Sequence, residues 1–301
     1  MRVDNLRAHI ALLFVNVLYG ASHVLAKGVM PEFLSPNVFI LFRVLGATAL
    51  FWLLLTLTRW EKINKADFPR LIACGLFGVA INQLFFFHGL NLSSAFNSGI
   101  IMALNPIMVV VLSFFLLKER LTILRAIGIS LGATGAILLT LKGATGKGDS
   151  SLGDLFLFIN SLSYAIYLVI VKPLMQSYKP LTVITWVFTF GLLFVLAFPP
   201  TIPQFLATNY STFTFEVILK ISYVIVGVTF LTYLLTMYGL KFLSPTVSSS
   251  YIYTQPVIVI LFAWLFAFLC WSADYTGTIT IEKIGYMLVI FVGVYITSRT
   301  S

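Results

Sequence analysis

Two sets of polar side chains recur at helical spacing inside otherwise apolar sequence. Asn16, Tyr19, Gly20, His23 and Lys27 fall at i, i+3, i+4, i+7 and i+11, one face of a helix; Asn160, Ser163, Tyr164 and Tyr167 repeat the pattern later. Amides, hydroxyls and an imidazole on such a face can hydrogen-bond a polar solute or one another. They must face protein or water, because lipid offers them no partner. The functional reading is two opposing walls of one cavity, and interhelical hydrogen bonding without a ligand is the alternative. Arg43, seven residues after Pro36, is a cation within another apolar run. At about 1.5 Å per residue it sits roughly 10 Å below the membrane surface. There it can grip a substrate carboxylate through a bidentate fork, bind helix-end carbonyls, or snorkel toward the interface.

All ten Asp and Glu fall in loops or at span ends. No internal ion pair is therefore expected for Arg43, and no buried carboxylate is available for a proton or sodium relay. Transport driven by the solute's own gradient follows, with protonation of His23 as the alternative; His88, near a span end, reads as an interface histidine. Asn82, Asn105 and Gln255 add amides to the candidate lining, and Trp186, Tyr233 and Tyr251 add rings able to stack on aromatic or cationic solutes. Pro106 and Pro256 follow Asn105 and Gln255 near mid-span, where each removes a helix hydrogen bond and frees the carbonyl of Met102 or Ile252. They are candidate hinges, with static kinks as the alternative.

The elements that must position these residues follow from composition. The 301 residues are 59% hydrophobic and 10% charged, against about 25% charged in soluble domains, and the mean hydropathy is +1.01. A water-soluble fold is excluded. At about 20 apolar residues per crossing, the chain suffices for about eight to ten spans. Apolar segments lie near 8 to 28, 36 to 57, 69 to 90, 96 to 117, 123 to 141, 153 to 171, 181 to 199, 216 to 239, 246 to 269 and 282 to 298. The expected fold is an all-α membrane protein of ten transmembrane helices. Arg2 and Arg7 precede the first segment as in a signal peptide, but Asn16, His23 and Lys27 interrupt it and no small-residue cleavage site follows, so it reads as a retained span.

The formal charge of +9 is not organised as a nucleic-acid surface, since no long basic run or basic amphipathic helix exists. Summing Lys and Arg on alternate sides of the spans gives thirteen against five, with Arg43 inside a span. Both termini are thus expected in the cytoplasm, in a membrane of the bacterial inner type. Cys74 and Cys270 are too far apart to suggest a disulfide framework or metal site.

An internal repeat is visible. At an offset of 150, His88-Gly89-Leu90 falls on Tyr238-Gly239-Leu240, Ser94 on Ser244, Ser98 on Ser248 and Asn105-Pro106 on Gln255-Pro256. Residues 1–142 and 153–301 form two five-helix repeats joined by a linker at 143–152. Five is odd, so the second copy enters from the opposite side, and inverted repeats carry binding sites near the midplane between the halves. Gly128, Gly132 and Gly135, with Gly285 and Gly293 opposite in the repeat, read as small-residue packing faces within the bundle.

Phe114-Phe-Leu-Leu-Lys-Glu-Arg-Leu-Thr122, followed by Gly128, Gly132 and Gly135, resembles the end of an EamA-type repeat of the drug/metabolite transporter superfamily. Leu41-Phe42-Arg43, the Asn105-Pro106 break and the two-fold layout agree with it. The second repeat departs from it, with Cys270-Trp-Ser-Ala-Asp274 in place of Lys-Glu-Arg-Leu-Thr. The resemblance implies a secondary transporter of an amino acid, related metabolite or drug-like solute. The expectation is alternating access in the export direction, without a cofactor and as a monomer or homodimer. A lipid-handling flippase and an intramembrane enzyme are the competing classes; the second lacks a Gly-x-Ser-x-Gly, a His-Glu-x-x-His or paired intramembrane carboxylates.

Overall fold

The structure is a computed structural model describing residues 3–25, 33–58, 61–93, 101–119, 121–143, 151–255, 257–258, 261–262, 265 and 281–299; the side chains of 20–25 and 139–143 are not among those described. The His23 side chain, Lys27, Pro256 and Cys270 lie outside the described set. All regular structure among the described residues is helical. The helices are α1 (Val3–Leu25), α2 (Pro36–Thr56), α3 (Lys65–Leu92), α4 (Asn105–Leu117), α5 (Ile123–Gly143) and α6 (Ser151–Ser177). They continue as α7 (Pro180–Ala197), α8 (Phe215–Phe242), α9 (Pro245–Ser250, tightening to a 3-10 turn at Tyr251–Thr254) and α10 (Ile281–Arg299), with a further short helix at Thr201–Ala207 in the α7–α8 connection. Five of them, α2, α3, α6, α7 and α8, are long and apolar enough to cross a membrane.

Local chemistry sets the ends. Pro36, Pro180 and Pro245 occupy first turns, where the missing N–H costs nothing. Thr214 and Ser244 cap α8 and α9 by accepting from the backbone N–H of Val217 and Val247, each at 3.3 Å. At the end of α4, Lys118 takes a left-handed conformation (φ 55°), and Glu119 N–H donates back to Ser113 O at 3.2 Å. That reversal turns Glu119 toward the start of α9.

Helix packing crosses between the halves of the chain. α1 packs on α8 and on the Tyr251–Thr254 turn, while α6 packs on α3 and α4. α2 packs on α7, α4 on α9 and α5 on α10. Each contact maps onto itself or another when every helix is exchanged for the one five places on.

The α5–α10 seam is made by glycine. A Cβ on Gly293 would lie 2.5 Å from Gly132 N and 2.6 Å from Gly128 O, and one on Gly132 would enter the Tyr253 ring. The backbones touch because no side chain intervenes. Gly285 is a correction to the sequence reading: nothing lies within 4 Å of its Cβ position. It is one helical face away from the seam and contributes nothing to it.

Candidate functional site

The centre is built where two helices widen. α3 adopts π-type turns over Leu76–Ile81 and α8 over Val224–Leu231, at corresponding places in the two halves. A widened turn interrupts the regular ladder and offers carbonyls to neighbours, and such turns concentrate at functional sites. Polar side chains of the second half meet them. Ser163 Oγ donates to Phe77 O, Tyr233 hydroxyl donates to Gly78 O at 3.1 Å, and Asn160 Nδ2 donates to Asn82 O at 2.6 Å. The Tyr233 hydroxyl also lies 3.5 Å from Asn82 Oδ1. Gly78 is required here, since a Cβ would overlap the Tyr167 ring packed against this segment.

On the α8 side, Arg43 Nε donates to Thr229 Oγ1 at 3.0 Å, and Thr229 donates onward to Val224 O at 2.9 Å, five residues back. Thr232 Oγ1 lies 3.3 Å from the Tyr19 hydroxyl. Arg43 is 8% exposed, and its Cζ lies 5.0 Å from the Phe87 ring centre and 5.7 Å from that of Phe39. Tyr233 meets Phe188 edge-on at 4.8 Å, and Tyr164 and Tyr167 stand 6.0 Å apart. The centre thus combines a cation, hydroxyls, amides and aromatic faces. No carboxylate pairs with Arg43 among the described residues.

Of the residues singled out from sequence, Tyr19, Arg43, Asn82, Asn160, Tyr164, Tyr167 and Tyr233 converge there. Asn105 Nδ2 donates to Ser161 O at 2.7 Å, tying the start of α4 to α6 beside the Asn160 turn. Pro106 follows it in the first turn of α4, after a break at Leu104. Asn16 is buried but donates to Leu12 O of its own helix at 2.8 Å. Trp186 is elsewhere, packed with Trp52, Phe68 and Phe190 between α2, α3 and α7. Tyr251 bonds His9 Nδ1 at 2.7 Å near the start of α1, and half-buried Gln255 follows the same turn. His88 Nε2 pairs with Asn37 Oδ1 at 2.9 Å, and Asn37 and Ser35 both donate to Gln204 Oε1 at the end of the bundle opposite His9. Phe39, Phe87, Thr229, Thr232 and His9 were not anticipated.

The basic end of the bundle carries a second polar cluster. Thr246 Oγ1 donates to Glu119 Oε2 at 2.9 Å, and Arg125 lies 3.8 Å from the same oxygen. Lys172 Nζ donates to Leu240 O in the last turn of α8 at 2.5 Å and to the carbonyl of Leu243, just past its end, at 2.7 Å. The α8–α9 corner is therefore held from α6 and from the α4–α5 loop at once. A double-mutant cycle of Glu119→Gln and Thr246→Val is expected to give a coupling of about 1–2 kcal/mol, as for a charge-assisted hydrogen bond. Strictly additive losses in thermal unfolding would show that the contact carries no energy.

Apolar helices around a hydrogen-bonded polar centre contributed by both halves define a multi-pass membrane protein with a buried polar core. The EamA-like transporter family matches residues 6–141 and again 151–299, and the chain belongs to that family, within the drug/metabolite transporter superfamily. Similar proteins include YyaM of Bacillus subtilis (strain 168), named an uncharacterized transporter, at 30% identity over 63% of this chain and 63% of that protein. YetK of the same organism, also named an uncharacterized transporter, is 26% identical over 75% of this chain and 68% of its own. A WAT1-related protein of Arabidopsis thaliana is 24% identical over 60% and 56%. The match to YyaM spans just under two thirds of its length, and that to the plant protein little more than half. One solved crystal structure shares the fold, with a TM-score of 0.73 over 99% of this chain and 96% of that one at 18% identity. The family and the two Bacillus relatives are transporters by name rather than enzymes.

Proposed function

We propose that this chain moves a small organic solute, of the amino-acid or related-metabolite kind, across the membrane by alternating access in the export direction. In this reading ten helices cross the membrane as two inverted five-helix repeats, residues 1–142 and 153–301, with both termini and the basic end in the cytoplasm of a bacterial cell. The observation that carries it is the central junction: Arg43 on Thr229, and Tyr233 on Gly78, each bridge the halves at a widened turn. Exchange-related packing supports two bodies that rock about that junction. Substrate contacts are assigned to Tyr19, His23, Arg43, Asn82, Asn160, Tyr164, Tyr167 and Tyr233, with Pro106 and Pro256 as hinges.

Single cysteines at Ser35 and Thr246, at opposite ends of the bundle, test the cycle. Saturating solute is expected to change their labelling rates in opposite directions. Parallel changes, or none with a solute that stabilises the protein, would remove alternating access. A lipid-handling reading has one observation in its favour, a shallow apolar face between α1 and α8 lined by Arg7, Ile10, Ala11, Phe14, Leu235 and Tyr238. Movement of a fluorescent phospholipid between leaflets of proteoliposomes distinguishes it.

A further inference from the structure

We propose that the solute bound at the Arg43 centre is an organic anion, a carboxylate carried on an apolar or aromatic body; this rests on the transporter reading above and names its substrate class. The argument begins with charge balance. Arg43 is buried two turns into α2, and a buried cation is retained when something of opposite charge completes its environment. Among the described residues its one hydrogen bond is from Nε to the Thr229 hydroxyl. Carboxylates of the described core face other groups: Glu119 is held by Thr246 and Arg125, and Asp154 accepts from Ser93 Oγ at 2.5 Å. Phe39 and Phe87 attract the cation through their rings without neutralising it.

Geometry then selects the ligand. With Nε engaged by Thr229, the two terminal nitrogens remain as a pair of parallel donors, which matches the two oxygens of a carboxylate. The surroundings are rings rather than more cations, so the rest of the ligand meets Phe39, Phe87 and Tyr233 instead of an aqueous basic funnel. Thr229 lies inside the widened turn of α8, so the side chain that meets the anion also touches one of the two widened turns at which the halves meet.

The test uses the full chain in detergent at neutral pH, with acid and amide pairs as probes: phenylacetate and phenylacetamide, phenylalanine and phenylalaninamide, and hexanoate and hexanamide, each against equal sodium chloride. A ligand that binds the folded state raises Tm by mass action. The expected result is that at least one acid raises Tm where its amide and chloride do not, that Arg43→Gln weakens that acid at least 10-fold, and that Arg43→Lys falls between. Chloride acting alone, equal effects of acid and amide, retained affinity in Arg43→Gln, or no response to any acid would each overturn the proposal. If Arg43→Gln yields no folded protein, Arg43→Lys makes the comparison, and unchanged acid affinity there overturns the two-point grip. Counterflow in proteoliposomes separates the two levels: flux of a neutral solute unaffected by Arg43→Gln removes the anion and keeps the transporter, whereas no flux of any stabilising solute removes the transporter.

Discussion

Arg43→Ala is expected to slow solute counterflow about 10- to 100-fold per molecule reconstituted while leaving membrane insertion unchanged. A hydrogen bond to a charged group contributes about 1.5–3 kcal/mol, and about 1.4 kcal/mol is a factor of ten. The truncation also frees Thr229 from its donor and opens space between Phe39 and Phe87, so orientation at the centre suffers along with affinity. Insertion is set by the surrounding apolar run of α2, which the substitution makes more apolar still. Flux equal to that of the parent protein would take Arg43 out of the site. His23→Ala carries the same expected direction from its place on the α1 stripe.

The second large effect is structural. Gly132→Leu is expected to remove most of the monodisperse protein recovered by size exclusion, because the new side chain has to enter the Tyr253 ring at the α5–α10 seam. Overpacking a core costs about 1–3 kcal/mol. Here the obstacle is the ring of Tyr253, which is itself buried and has no free space to swing into. Gly285→Leu is the matched control on α10, with open space at its Cβ and near-parental recovery expected. Equal recovery of both variants would show that the seam is not close-packed.

What the sequence made legible was whatever repeats along one helix. Apolar runs mark α2, α3, α6, α7 and α8, and the stripe from Asn160 to Tyr167 lies on the face of α6 turned to α3. The α5 glycines were read as an internal packing face, which is where they lie. Contacts between distant helices were not legible in the same way. Nothing local to Phe39, Phe87 or Thr229 distinguishes them from dozens of similar residues; they matter because α2, α3 and α8 meet at Arg43. The widened turns were equally hidden, since their lost ladder bonds are compensated by Ser163 and Tyr233 from other helices, not by a local signature. Trp186 shows the reverse error of emphasis: a large ring in an apolar span finds ring partners on α2 and α3 without approaching the centre.

The cross-packing of the halves also has a bearing on how the chain is made. α1 leaves the ribosome long before α8, the helix it rests on, and α6 completes α3 and α4 only after more than half of these residues have been made. The early helices must therefore wait in the bilayer with Asn16 and Tyr19 on α1 and the widened turn of α3 lacking their final neighbours. Assembly is in this sense a late, whole-chain event, and the period before translation ends is when the nascent protein most needs lipid, water or a chaperone to shelter those groups.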